Sequence, residues 1–209
     1  MAKKRKSTNS CFRPKLKPQE VVALGVRATR YTEHFIDLKS VFQIAIMSYP
    51  TCDSLIYTID RPVMIFNDGC PEDAVDVRDN WDQFQKIPFI QALQRIENFC
   101  RRFERPVERK SKNGRLYQTV PTVEIGSGPC TKMFRAACYS NKVWCHLDNY
   151  PIYLNTLAKH WDEDMPHLPT LREMCEGFGA TYHAHECGVM QDVINKLSAY
   201  DKFKELRDV

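Results

Sequence analysis

Apolar residues run almost unbroken through Val21-Val22-Ala23-Leu24-Gly25-Val26, and again through Val41-Phe42-Gln43-Ile44-Ala45-Ile46-Met47. A third run follows at Leu55-Ile56-Tyr57-Thr58-Ile59, after a turn signal at Pro50 and Cys52-Asp53. Runs of this length and β-branched content predict strands, and three in succession predict an antiparallel meander. Residues 64–80 are irregular and acidic. The pattern then changes period. Ile90, Leu93, Ile96, Phe99, Cys100 and Phe103 recur at helical spacing after Pro88, which predicts an amphipathic helix that ends before Pro106.

The second half alternates strand and helix signals. Val143-Trp144-Cys145 reads as a strand. Helix faces are marked by Tyr150, Leu154, Leu157, Ala158 and Trp161, by Leu171, Met174, Cys175 and Phe178 before Gly179, and by Val189, Val193, Leu197 and Tyr200. Strands followed by β-α alternation predict an α/β fold in three layers. Between the halves, residues 105–128 carry Lys110, Lys112 and Arg115 around Asn113-Gly114. Asn-Gly tolerates the positive φ of a tight turn, so a basic β-hairpin or protruding loop is expected there.

Charge changes the picture only locally. The chain of 209 residues has a net charge of +4, too mild to argue for a polyanionic partner by itself. The first eighteen residues, however, hold Lys3, Lys4, Arg5, Lys6, Arg13, Lys15 and Lys17, with no acid before Glu20. This divides the chain into a basic flexible arm, 1–18, and one domain, 19–209, with the hairpin inserted near 105–128. Nine cysteines include no Cys-x-x-Cys pair, and no apolar run is long enough to span a membrane. An intracellular protein whose thiols are mostly small buried apolar groups is expected. The tight cluster His183-x-His185-x-Cys187, with Cys175 upstream, has alternate spacing that needs a strand, whereas its flanks read as a helix start; no metal is assigned to it.

Three stretches taken together resemble a known family. They are Val21 to Thr29, Val143-Trp144-Cys145-His146-Leu147-Asp148-Asn149-Tyr150-Pro151, and His183-Ala184-His185-Glu186-Cys187-Gly188-Val189-Met190. In that order they are similar to the three motifs of DEDDh-type 3′–5′ exonucleases, most nearly the phage exonuclease A and RecE-type enzymes. Asn80-Trp81-Asp82-Gln83-Phe84-Gln85, followed by the Leu/Ile-rich helix from Ile87, resembles that family's Trp-rich segment. The likeness covers roughly residues 20–200. It implies the RNase H-like fold, with a mixed central sheet flanked by helices.

The resemblance also implies a loss. Family catalysis uses two divalent metals held by four carboxylates. The matching positions here are Gly25, Arg27, Pro151 and Met190, and of the motif residues His185 alone survives. Hard cations need oxygen ligands, which these side chains do not offer. Asp192 lies two residues past Met190, so a helix would point it about 200° away. The expectation is a catalytically inactive, exonuclease-like domain of phage or virus type, without cofactor, metal or catalytic residue, that binds nucleic acid without sequence preference. Its candidate contacts are Arg27, His185, Lys110, Lys112 and Arg115, the cations among them suited to phosphates. Two alternatives stand beside it. One is a protein-interaction or structural module on a relic fold; the other is an active metal-dependent exonuclease with rearranged ligands.

Overall fold

A computed structural model describes residues 20–32, 34–103, 109–110, 116–117, 119–148, 150–161, 167–184 and 188–208. The basic arm, Lys112, Arg115 and His185 lie outside the described residues, as does the Asn113-Gly114 pair.

The predicted meander is present. Strand β1 (Val21–Ala28) leads through two short paired strands, β2 (Tyr31–Thr32) and β3 (Phe35–Ile36), to β4 (Val41–Tyr49) and β5 (Ser54–Ile59). β4 pairs antiparallel with β1, from Val21 opposite Tyr49 to Arg27 opposite Gln43, and antiparallel with β5. A short strand, β6 (Lys86–Ile87), adds parallel to β5. Strands β7 (Arg109–Lys110) and β8 (Leu116–Tyr117) form a separate antiparallel ladder. β9 (Thr122–Glu124) and β10 (Ile152–Tyr153) then add parallel on the far side of β1. The main sheet is therefore mixed, in the order β10-β9-β1-β4-β5-β6.

Period-two geometry explains why β1 and β4 are apolar over most of their length. Successive side chains face opposite sides of a sheet, and both sides here are covered. Val22, Leu24, Ile44 and Ile46 point to one side, where they pack with α2 (Phe89–Cys100) and α3 (Pro129–Ser140). Val21, Ala23 and Ala45 point to the other, against α4 (Leu154–Trp161), α5 (Leu171–Phe178) and α6 (Val189–Asp208). The chain is thus α/β, with a six-stranded mixed sheet between two helical layers.

Two expectations need correcting, and one helix had none. Residues 143–145 do not form a strand: Trp144 is 67% exposed, and the chain there makes only an isolated bridge from Leu147 to Val120. The strand beside β1 is β9, built from Thr122-Val123-Glu124. The segment 64–80 is also more than an acidic loop. It holds the helical turn α1 (Val75–Asp79), and its Phe66 stacks edge-on between Phe42 and Trp81, with ring centroids 5.2 Å away on each side. Finally, the helix from 129 to 140 went unread. Gly128 at φ 71° turns the chain into it and Pro129 occupies its first turn, where a missing N–H costs nothing.

Candidate functional site

A cavity of about 600 Å³ opens where β1 and β9 end, between the N-terminus of α3 and the first turns of α6. In open α/β sheets this carboxyl end of parallel strands is the usual place for a ligand. The charged residues lining it are Arg27, Glu72, Glu124, Asp192 and Lys196. Three carboxylates thus face two cations.

Glu124 and Lys196 form its inner wall. Glu124 ends β9, and its side chain is fully buried. One carboxylate oxygen accepts the Thr131 backbone N–H at 3.0 Å and the Thr131 hydroxyl at 3.1 Å. The other accepts the Ile125 N–H at 3.2 Å and the Lys196 ammonium at 2.6 Å. The ammonium donates in addition to the Leu24 carbonyl of β1 at 2.7 Å and meets the Cys130 sulfur at 3.8 Å. Its three protons therefore have three acceptors. Burial alone would pull the Lys196 ammonium down, but nearby Cys130 and Glu124 outweigh it and the net direction is up. Burial pushes the Cys130 thiol up to about 12, only partly offset by Lys196, so at neutral pH the sulfur is a thiol and Glu124 carries the attraction.

The helix that delivers Lys196 is held very close to β1. A Cβ on Gly25 would stand 2.5 Å from the Val189 carbonyl oxygen and 2.8 Å from a Val193 methyl. A side chain at position 25 has no room under this helix. Asn195 also ties His183 to α6: it donates to the His183 carbonyl at 2.7 Å and accepts the His183 N–H at 3.0 Å.

Of the residues expected to bind nucleic acid, Arg27 lies in the cavity and is 6% exposed. A phosphate would have to enter the cavity to meet it. Lys110 stands in β7, opposite Leu116, away from the main sheet's order. His185, Lys112 and Arg115 fall outside the described residues. Gly25, Pro151 and Met190 do not line the cavity, and Met190 packs among the apolar residues of the α6 layer. Asp192, which helical geometry counted against, lines it instead.

Glu124, Cys130 and Lys196 were not read from the chain. Lys196 alone left a signal. It falls seven residues after Val189, three after Val193 and four before Tyr200, a lone lysine on an apolar stripe. No protein-family model matches this chain, and no curated protein matches its sequence.

Proposed function

We propose that this chain is a catalytically silent domain of RNase H-like design, related in plan to the DEDDh exonucleases, which binds nucleic acid weakly through cations outside its cleft. The sheet supports the RNase H-like reading: a three-stranded antiparallel meander whose first strand is extended by parallel strands on its other side. The observation that carries the loss of catalysis is the Lys196 ammonium. It sits beside the middle of β1 and the end of β9, between a carbonyl and a carboxylate oxygen, the surroundings a divalent ion would need. A fixed positive charge at contact distance from Glu124 competes directly with a metal for that oxygen.

The cleft does not offer the field of a nucleic-acid groove, because its carboxylates outnumber its cations. The basic arm and the hairpin cations Lys110, Lys112 and Arg115 are the better contacts, and they need no cleft. Binding through phosphates releases counterions and weakens steeply with salt. With fluorescent single-stranded and duplex oligonucleotides, affinity is expected to fall as salt rises. Changing the three hairpin cations to Ala should reduce the slope of log K against log salt by about 2–3, from about 0.7–0.9 per phosphate contact. With Mg²⁺ or Mn²⁺ no strand shortening is expected. Metal-dependent 3′-end shortening would overturn the silent reading, and absence of binding at low salt would overturn the nucleic-acid reading.

One observation favours a second reading, a protein-interaction module. Tyr31 and Phe35, on the β2–β3 ladder whose Tyr31 also lines the cavity, are 61% and 64% exposed. That reading takes the first one's place if the oligonucleotides do not bind.

A further inference from the structure

The opposite layer of the molecule holds a second cluster of ionisable groups, unconnected with the cleft. Glu97 lies in the last turns of α2, and Cys138 in the last turn of α3. After α3 the chain reverses through Lys142, at φ 56°, and the Val143 N–H returns to the Cys138 carbonyl at 2.9 Å. This reversal brings Cys145 back beside Cys138. The returning segment is tied to β9's approach: Val120 donates to the His146 carbonyl at 2.8 Å, and Asp148 donates to the Val120 carbonyl at 2.9 Å. α2 and the α3 reversal, distant in sequence, thereby place the Glu97 carboxylate and the Cys138 and Cys145 sulfurs all within 4.8 Å of one another. Among the described residues this is the one such convergence of three potential ligands.

The carboxylate is also held in orientation. Glu97 is 3% exposed. It accepts the His146 backbone N–H at 3.1–3.2 Å, and one of its oxygens lies 2.5 Å from His146 Nδ1. A buried carboxyl and two adjoining sulfurs are an unfavourable set to ionise together, since each new negative charge in a dry site raises the cost of the next. Burial raises Glu97, and Cys138 is raised by its hydrogen bond with Cys145 and then by burial. A dication removes that conflict for all three at once.

We propose that Glu97, Cys138 and Cys145 bind one zinc ion. The two thiols release their protons to solvent as the Zn–S bonds form, and one Glu97 oxygen completes three protein ligands. His146 is the positioning residue that holds the carboxylate. Thiolate ligands select zinc over magnesium, calcium or manganese. Zn–S bonds of about 2.3 Å put two sulfurs of a tetrahedral site about 3.8 Å apart, so the cluster needs a closure of about 1 Å at most. Three protein ligands leave the fourth position to water, which half-buried Cys145 leaves room to admit. Bound zinc would lock α2, α3 and the returning segment together.

The test uses the full chain, stripped of metal under a thiol reductant and titrated with Co²⁺ and then Zn²⁺. One equivalent of Co²⁺ should give thiolate-to-cobalt absorption in the near ultraviolet and tetrahedral bands in the visible, both erased by Zn²⁺. Cys145→Ser should abolish the thiolate band or shift it to that of a single sulfur. Cys52→Ser and Cys187→Ser should leave it unchanged. His146→Ala should weaken affinity by about 10–100-fold while keeping the band positions, as loss of a group that orients a ligand does. If Cys145→Ser fails to fold, alkylation of the wild-type chain decides: zinc should protect Cys145 and not the exposed Cys52. Absence of a cobalt–thiolate band in the wild type, the same band and affinity in a folded Cys145→Ser chain, or alkylation of Cys145 indifferent to zinc would each overturn the proposal.

Discussion

The two helical layers solve the same problem, a carboxylate buried beside the sheet, in opposite ways. In the α6 layer, Glu124 is answered by a full charge from within the chain, Lys196, plus three N–H or O–H donors. In the α2/α3 layer, Glu97 faces His146 and thiols, with no Lys or Arg among the described hydrogen-bond donors to its carboxylate. The first arrangement answers its charges from within the chain. The second is left with ligands that share one pocket. The packing differs in step. β1 and β4 present Ala23, Gly25 and Ala45 to α6, so helix and sheet touch through backbone, whereas Leu24, Ile44 and Ile46 fill the other side with long aliphatic chains. Close approach is what lets a lysine on α6 reach a carbonyl of β1.

The sharpest way to break the finished centre is Lys196→Met. It leaves Glu124 buried with its strongest partner gone, and such a loss costs about 3–5 kcal/mol. The double change Lys196→Met with Glu124→Gln should cost much less than the sum of the two single changes, because a buried pair replaced whole is often near neutral. Urea unfolding of the four chains measures this. Additive costs would mean that the two groups do not act as a pair. The raised Lys196 also sets a pH window. Its contribution to stability is fully present below the unfolded lysine value of about 10.4, and declines only as pH rises beyond that.

Gly25→Ala attacks the close approach itself. The new methyl would meet a helix backbone carbonyl, which cannot turn aside as a side chain can. A destabilisation at the top of the usual overpacking range, about 3 kcal/mol, is expected, read as a lower urea midpoint with an unchanged slope. The same substitution at Gly177, whose Cβ would meet nothing within 4 Å, is the control and should stabilise or leave stability unchanged. A tolerated Gly25→Ala would show that α6 can move off the sheet, and with it Lys196 off Glu124.

These contrasts also show what the chain makes legible. β1, β4 and β5 announce themselves because seven or so residues of one character outvote any local accident, and α2, α5 and α6 because their apolar faces repeat over several turns. β9 has only three residues, too few for a period, and Val143-Trp144-Cys145 looks more strand-like in composition than Thr122-Val123-Glu124 does. α3 buries Thr131, Met133, Phe134, Ala137 and Cys138, a stripe diluted by small and polar residues. The site was harder still. Lys196 and Glu124 are 72 residues apart, and nothing local to either names the other. The motif positions Gly25, Arg27, Pro151 and Met190 carry no carboxylate. Glu124 and Asp192 lie in the cleft from positions no motif marks.

The smallest expected effect concerns how the α6 layer is assembled at its outer edge. Thr170 precedes α5, and its hydroxyl accepts the Glu173 N–H while Glu173 accepts the Thr170 N–H at 2.7 Å, a reciprocal cap. α5 packs on α6 through Met174 and Cys175, and Cys175 donates to the Asn195 carbonyl, one residue before Lys196. Thr170→Ala should therefore cost about 1 kcal/mol, the usual value of an N-cap, without touching the Lys196 contacts. Its signature is pH dependence. The backbone and side-chain hydrogen bonds from Thr170 lower Glu173, so this carboxylate stabilises the fold fully above the unfolded glutamate value of about 4.3. That contribution is lost as pH falls through the lowered folded value. The difference between wild type and Thr170→Ala should accordingly be larger at pH 7 than at pH 3. A difference that does not shrink on acidification would mean that the hydroxyl acts through the Glu173 N–H alone, and that its bond to the Glu173 carboxylate adds nothing.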